Sequence, residues 1–225
     1  MAQQERAVIT RRAVLEAAGE VFAERGYGAA TISDVYTRAG VTKGAFYFHF
    51  PSKEELAQEV LDGQVSGQVG HLGTAGPRSG PVKLQGVVDS ALLVAYRLTF
   101  DKLLQGSIRL SIDLGNVLDR RRPYGAWVEH QVTVLSEAKA QGELLPHVEV
   151  APFARVLVGA FSGVQLMSEV MTGRRDVEQE IATLYSHLMP SVAVPAVLAQ
   201  LDISPDLGRR LMAETVRDEG AQEGS

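Results

Sequence analysis

Apolar positions recur at helical spacing almost from the start of the chain. Val14, Ala18, Val21 and Phe22, with Leu15 beside them, form one stripe of 3.6-residue period, and Arg25-Gly26 supplies a stop, so a first helix is predicted to end near Gly26. Thr31 with Asp34 is a capping-box-like start for a short helix through Val35, which stops at Ala39-Gly40. Thr42 caps the next helix, beginning at Lys43. Two short helices separated by a turn of about three residues containing Gly40 make a helix-turn-helix arrangement. Ser52 with Glu55 is a further capping box, opening another helix after Pro51.

The stretch from Gly67 to Pro81, rich in Gly, Pro and Ser, reads as a loop or hinge. Beyond it, apolar blocks of helical length repeat: Leu84 to Phe100, Leu103 to Leu114, Tyr124 to Ala140, Ala151 to Met171 and Val177 to about Met189. The segments between them have loop chemistry, so the predicted fold class is all-α throughout. A last amphipathic piece spans about Ser204 to Val216, and residues 217–225 are expected to be a disordered tail.

Composition narrows the class. A chain of 225 residues with 45% hydrophobic content can bury a sizeable core. No apolar run is read as a membrane span, the charged N-terminal segment does not read as an export signal, and there are no cysteines, which together point to a cytoplasmic protein. Residues 1–60 hold seven Lys/Arg against eight Asp/Glu, so a nucleic-acid surface there must depend on where the cations sit rather than on bulk charge. Arg6, Arg11, Arg12, Arg38, Lys43 and Lys53 fall at helix starts and turns. Glu16, Glu20 and Glu24 recur every fourth residue and read as one solvated face.

The segment "VTKGAFYFHFPSKEEL", residues 41–56, packs four aromatic rings into five positions. On a helix starting at Lys43, Phe46 and Phe50 share one face and make a core pair, while Lys43, Gly44, Tyr47 and Phe48 share the other. That second face offers a lysine for guanine O6/N7, a glycine for close approach, a hydroxyl for phosphate and a ring for thymine methyls. Lys53 can add a phosphate contact from the next helix. Four core rings beside a merely solvated Lys43 is the competing account; the turn, both caps and the split of faces favour a groove-reading helix.

Residues 7–60, above all "GVTKGAFYFHFPSKEEL", resemble the DNA-binding domain of TetR-type regulators. The segments "RLSIDLG", "YGAWVEH", "KAQGELLP", "LVGAFSGVQLMSEV" and "AVPAVLAQLDIS" are similar to the ligand-binding domain of γ-butyrolactone autoregulator receptors. The resemblance implies a homodimeric repressor that binds palindromic double-stranded operator DNA and leaves it when a small diffusible signal fills the C-terminal domain. It implies residues 1–52 as DNA-binding domain and 53–216 as ligand-binding and dimerisation domain. Arg6, Arg11, Thr42, Lys43, Gly44, Ala45, Tyr47, Phe48, His49 and Lys53 are then the expected DNA contacts. Phe46 stands where this branch is expected to carry leucine, a change confined to the core face.

Trp127, the sole tryptophan, matches the tryptophan that lines the pocket of the resembled receptors, although a lone tryptophan on an apolar stripe also fits plain core. His130 and Val134 follow it at helical spacing. Gln64, Thr133 and Gln165 are candidate polar anchors, and Leu110, Phe161 and Leu166 are either pocket walls or core. Helix Ser52 to about Val65 is expected to couple signal and DNA. Dimerisation is expected through Ala151–Met171 and Val177–Met189, the former carrying Gly159 and Gly163 four apart. A TetR-type repressor answering to an antibiotic, furan or other apolar effector is the alternative. A small helical enzyme is a distant one: the sequence has no GxSxG, P-loop or dense histidine cluster, so neither catalysis nor a cofactor or metal is expected.

Overall fold

The computed structural model describes residues 2–74, 81–113 and 118–223. Among them are eleven α-helices: α1 (Ala2–Ala29), α2 (Ile32–Arg38), α3 (Lys43–His49), α4 (Lys53–Thr74), α5 (Leu84–Arg97), α6 (Lys102–Ile112), α7 (Arg121–Ala140), α8 (Val150–Thr172), α9 (Val177–Leu188), α10 (Pro195–Leu198) and α11 (Leu207–Glu223). A 3-10 turn covers Met189–Ser191, and one isolated bridge pairs Leu144 with Ala193. The chain forms two compact units, residues 1–67 with 101–123 and residues 68–100 with 124–225.

In the first unit the sequence signals act as local chemistry dictates. Gly26 adopts φ 69° and ψ 175°, which interrupts α1 where the stop was expected and adds a final turn through Ala29. Thr31 Oγ1 accepts from Asp34 N–H at 3.1 Å while the Asp34 carboxylate accepts from Thr31 N–H at 3.1 Å, completing the capping box of α2. Thr42 Oγ1 accepts from Ala45 N–H at 3.2 Å, and Ser52 Oγ from Glu55 N–H at 3.0 Å, which start α3 and α4. The core beneath them gathers Val14, Val21 and Phe22 of α1, Val35 of α2, Phe46 and Phe50, and Leu56 and Leu61 of α4.

α6 belongs to this unit as well. A Cβ added at Gly106 would lie 2.2 Å from the Gly19 carbonyl oxygen, and one at Gly19 would lie 2.6 Å from Leu103 Cα, so α1 and α6 meet backbone to backbone. At the end of α6, Asp113 accepts from Tyr27 N–H at 2.6 Å and so holds the residue just beyond the Gly26 kink.

The second unit is built around α5, of which Leu84, Val87, Val88, Leu92, Val94 and Ala95 are buried. Its N-terminus is closed by Glu143, a 5% exposed carboxylate that accepts from Lys83 N–H at 2.8 Å and Leu84 N–H at 2.7 Å. Ile181, Ala182 and Tyr185 form the buried face of α9, and Leu207 that of α11.

Four expectations change. The stretch expected as a hinge from Gly67 is helical to Thr74, and residues 75–80 lie outside the described residues. The expected disordered tail is helical to Glu223. The acidic face of α1 is more than solvated: Glu24 and Glu20 hold Arg38 of α2, with Arg38 Nη1 to Glu24 Oε1 at 2.7 Å. Last, α8 is by length and composition apolar enough to cross a membrane, which reading the sequence by apolar runs did not register because Gly, Ser and Arg are scattered along it.

Candidate functional site

The face of α3 is set by where its rings go. Phe46 is fully buried and Phe50, at 2% exposure, packs against it with ring centroids 6.1 Å apart. With that pair inside, the helix has no choice but to turn Tyr47 and Phe48 out, and they are 43% and 79% exposed. Exposing a phenyl ring to this extent forgoes roughly 1.5–3 kcal/mol of burial. Lys43 and Gly44 are exposed on the same helix, and the Lys43 ammonium lies 5.9 Å from the Tyr47 ring centroid. Ala45 and His49 are half-buried, and Thr42 is exposed as the cap. The structure therefore brings Thr42, Lys43, Gly44, Tyr47 and Phe48 to one surface.

The flanking cations divide. Arg6 is exposed on α1. Arg11 is engaged within the unit by Glu59, its guanidinium 5.3 Å from the Phe50 ring centroid. The Lys53 ammonium sits 4.3 Å above Tyr27, whose hydroxyl donates to Glu54 at 2.8 Å. Burial, then that hydrogen bond to a carboxylate, pushes the Tyr27 phenol up to about 12. Arg25 pairs with Asp34 at 2.7 Å, and the Arg38 bond holds the Glu24 carboxyl below its usual range. These pairs clamp α2 and α4 to α1 and orient α3.

The expected ligand residues are spread over both units. Gln64 lies on α4 with its side chain outside the described residues, and Leu110 is fully buried in the core of the first unit. In the second unit, Trp127 and His130 are half-buried on α7, with rings edge to face at 6.3 Å, and burial lowers the His130 pKa below its ordinary value. Val134 is buried in line with them. Thr133 is not brought to that face: it is exposed, and its hydroxyl donates to the Glu129 carbonyl at 3.1 Å. On α8, Phe161 and Leu166 are half-buried, while Gln165 is 2% exposed with Nε2 donating to Ser162 O at 3.3 Å and Oε1 without a hydrogen-bond partner. Gln131, 4% exposed and one turn past Trp127, was missed; its position on the apolar stripe of α7 was the available signal.

α8 carries a second surface. Val156, Met167, Val170 and Met171 are 52%, 67%, 74% and 75% exposed, and Gly159 and Gly163 are exposed between them. The spacing lines Val156, Gly159, Gly163, Met167 and Val170 along one side of the helix.

Residues 14–60 match the family described as bacterial regulatory proteins, tetR family. The chain is similar to the A-factor receptor protein of Streptomyces griseus, 37% identical over 223 residues that cover 99% of this chain and 77% of the relative. Among solved structures it is similar to full-length TylP, a TetR regulator from Streptomyces fradiae, at 45% identity and TM-score 0.79, covering 96% of this chain and 93% of that one. A γ-butyrolactone receptor described as ArpA-like is similar at 26% identity and TM-score 0.74, with 93% of this chain and 99% of that chain covered.

Proposed function

The chain belongs to the TetR family of bacterial regulatory proteins, and from that premise we propose a ligand-responsive repressor, not an enzyme, that binds a palindromic operator as a homodimer and is released by a γ-butyrolactone or butenolide signal. One observation carries the DNA half: Phe48 and Tyr47 stand exposed beside Lys43 on a short helix whose other rings are sunk in the core. Lys43 reads a base, Tyr47 touches phosphate and Phe48 lies against thymine methyls. Arg6, Thr42, Gly44 and the flanking Ala45 and His49 complete that surface, with Arg11 and Lys53 at its margin. The functional division is residues 1–52 for DNA and 53–216 for signal and dimerisation.

The signal half rests on the full-length similarity to an A-factor receptor and a γ-butyrolactone receptor. Trp127, His130 and Val134 on α7 and Phe161, Gln165 and Leu166 on α8 hold the signal, an apolar set with few polar anchors. A second copy of the chain covers the exposed stripe of α8, where Gly159 and Gly163 admit close helix approach. This accounts for a membrane-length apolar helix in a DNA-binding protein. A signal that prefers a conformation with misplaced reading helices must weaken operator binding, and the operator must weaken signal binding by the same factor.

The test is a panel of single-base operator variants together with a signal titration. Lys43→Ala should lose about 1–3 kcal/mol on the cognate site and relax preference at one position per half-site. Uniform loss across the panel would make Lys43 a phosphate contact and defeat the assignment. Trp127 emission and operator release should respond together to γ-butyrolactones; silence in both would leave a repressor with another effector.

A further inference from the structure

Lys53 is the first residue of α4 and is followed directly by Glu54 and Glu55. A lysine in that setting is readily neutralised by its neighbours, and a neutralised ammonium has little to offer a phosphate. Tyr27 keeps the charges apart. Its hydroxyl donates to Glu54 Oε1 at 2.8 Å, while the Lys53 ammonium sits 4.3 Å from the centroid of its ring. A ring face attracts the ammonium without cancelling its charge and leaves N–H groups to donate outward. The phenol, pushed up to about 12 by burial and then by the bond to Glu54, stays a donor at neutral pH. Tyr27 is itself firmly held. Its half-buried ring stacks on the fully buried Phe22, with centroids 6.3 Å apart and planes at 22°. Its backbone N–H donates to the Asp113 carboxylate at 2.6 Å just past the Gly26 kink, and Arg120 Nη1 donates to the Asp113 carbonyl at 2.7 Å. Those contacts already secure this turn of α1, so the hydroxyl and the ring face remain for α4.

We propose that Tyr27 is a positioning residue for operator binding: it presents the Lys53 ammonium to a DNA phosphate and holds the Glu54 carboxylate away from it. The inference rests on Lys53 lying at the DNA surface, as proposed above. A long lysine side chain loses rotamer freedom when it binds a phosphate, and one already placed over a ring has lost part of that freedom beforehand. Because Tyr27 acts through a phosphate contact, its effect is the same on every sequence.

The probe is a labelled duplex operator selected by the full-length protein from a random-sequence library, and the readouts are affinity across a salt series and Tm of the free protein. Lys53→Met should weaken binding and reduce the steepness of log K against log salt by about 1 per protomer. Tyr27→Leu should weaken binding by about five-fold or more in the dimer, and by much less once Lys53→Met is present. Tyr27→Phe keeps the ring and frees the carboxylate, so Glu54→Gln should raise affinity more in that background than in the wild type. This second comparison decides the matter should Tyr27→Leu fail to fold. A merely structural Tyr27 would lower Tm and show neither coupling. A loss of equal size with and without Lys53, or an equal effect of Glu54→Gln in both backgrounds, overturns this inference and leaves the DNA reading standing. Unchanged affinity and salt dependence in Lys53→Met removes Lys53 from the DNA surface and overturns both that assignment and the inference; failure to select any operator overturns the DNA reading itself.

Discussion

Replacing Gly106 with alanine tests the most demanding contact in the first unit. A Cβ there would lie 2.2 Å from the Gly19 carbonyl oxygen and 2.8 Å from the Gly19 Cα. An ordinary carbon–oxygen contact is about 3.3 Å or more, so α6 must retreat from α1 by about 1 Å. Backbone atoms on both sides leave no rotamer that could absorb the shift. Leu104, Ile108 and Leu110, all buried on α6, would lose optimal packing together. Overpacking costs about 1–3 kcal/mol, and with backbone on both sides the upper part of that range, about 2–3 kcal/mol, applies, against a gain of about 1 kcal/mol from the better helix propensity of alanine.

The net loss should be about 1–2 kcal/mol, lowering Tm by about 2–8 °C in a chain of this size. Thermal and urea unfolding of the variant measure it. The control is Gly125→Ala on α7, where an added Cβ meets nothing within 4 Å. It should be neutral or stabilising by up to about 1 kcal/mol. Gly19→Ala should resemble Gly106→Ala, and the double variant should cost less than both added, since each pushes the same helices apart. A Gly106→Ala protein as stable as the wild type would refute the backbone contact between α1 and α6.

Three other outcomes are expected. Glu143→Ala strips the acceptor from Lys83 N–H and Leu84 N–H at the start of α5 and should cost about 2–3 kcal/mol in urea unfolding, with Glu143→Gln costing less; equal stability of all three would show that the cap contributes nothing. Because burial lowers the His130 pKa from 6.5, the unfolded chain takes up a proton that the native state refuses, so stability should be unaffected well above pH 6.5 and fall as pH drops through it, and His130→Gln should flatten that fall in pH-dependent melting curves. Met167→Asp puts a charge on the exposed stripe of α8, so it should convert a species of about twice the 24.3 kDa chain into monomer by mass measurement and abolish binding to a palindromic operator; a dimer that survives it would move the interface elsewhere.

The reading helix was legible because its signals are local. Thr42, Gly40 and the four-residue interval between Phe46 and Phe50 act within one or two turns, and the structure keeps each as capping, turn and packing chemistry require. The attachment of α6 was not legible. Gly19 and Gly106 are unremarkable apart and gain meaning only as a pair 87 positions distant, and α6 reads in isolation like any other amphipathic helix. Periodicity likewise treats Glu143 as a surface residue, and although it places Gln131 on the apolar stripe of α7 it cannot name a partner for either, because the partners lie 59 and 41 positions away. The acidic stripe of α1 misled for the same reason, since Arg38, 14 residues past Glu24, supplies the charge that half-satisfies it.

Two of these residues differ from the rest in what the fold returns to them. Glu143 and Arg38 are buried or placed with partners in hand, so their polarity is matched inside the chain. Phe48 and Gln131 are not matched: one forgoes apolar burial and the other a hydrogen bond. Neither deficit helps the isolated chain fold, and under the function proposed above the ring's deficit is recovered against a base edge or thymine methyl. In a repressor, operator and signal must compete, because linkage makes the state that binds one disfavour the other. A variant that removes the exposed ring should therefore shift the balance between operator and signal: Phe48→Ser should weaken the operator complex and so reduce the concentration of signal needed to release it.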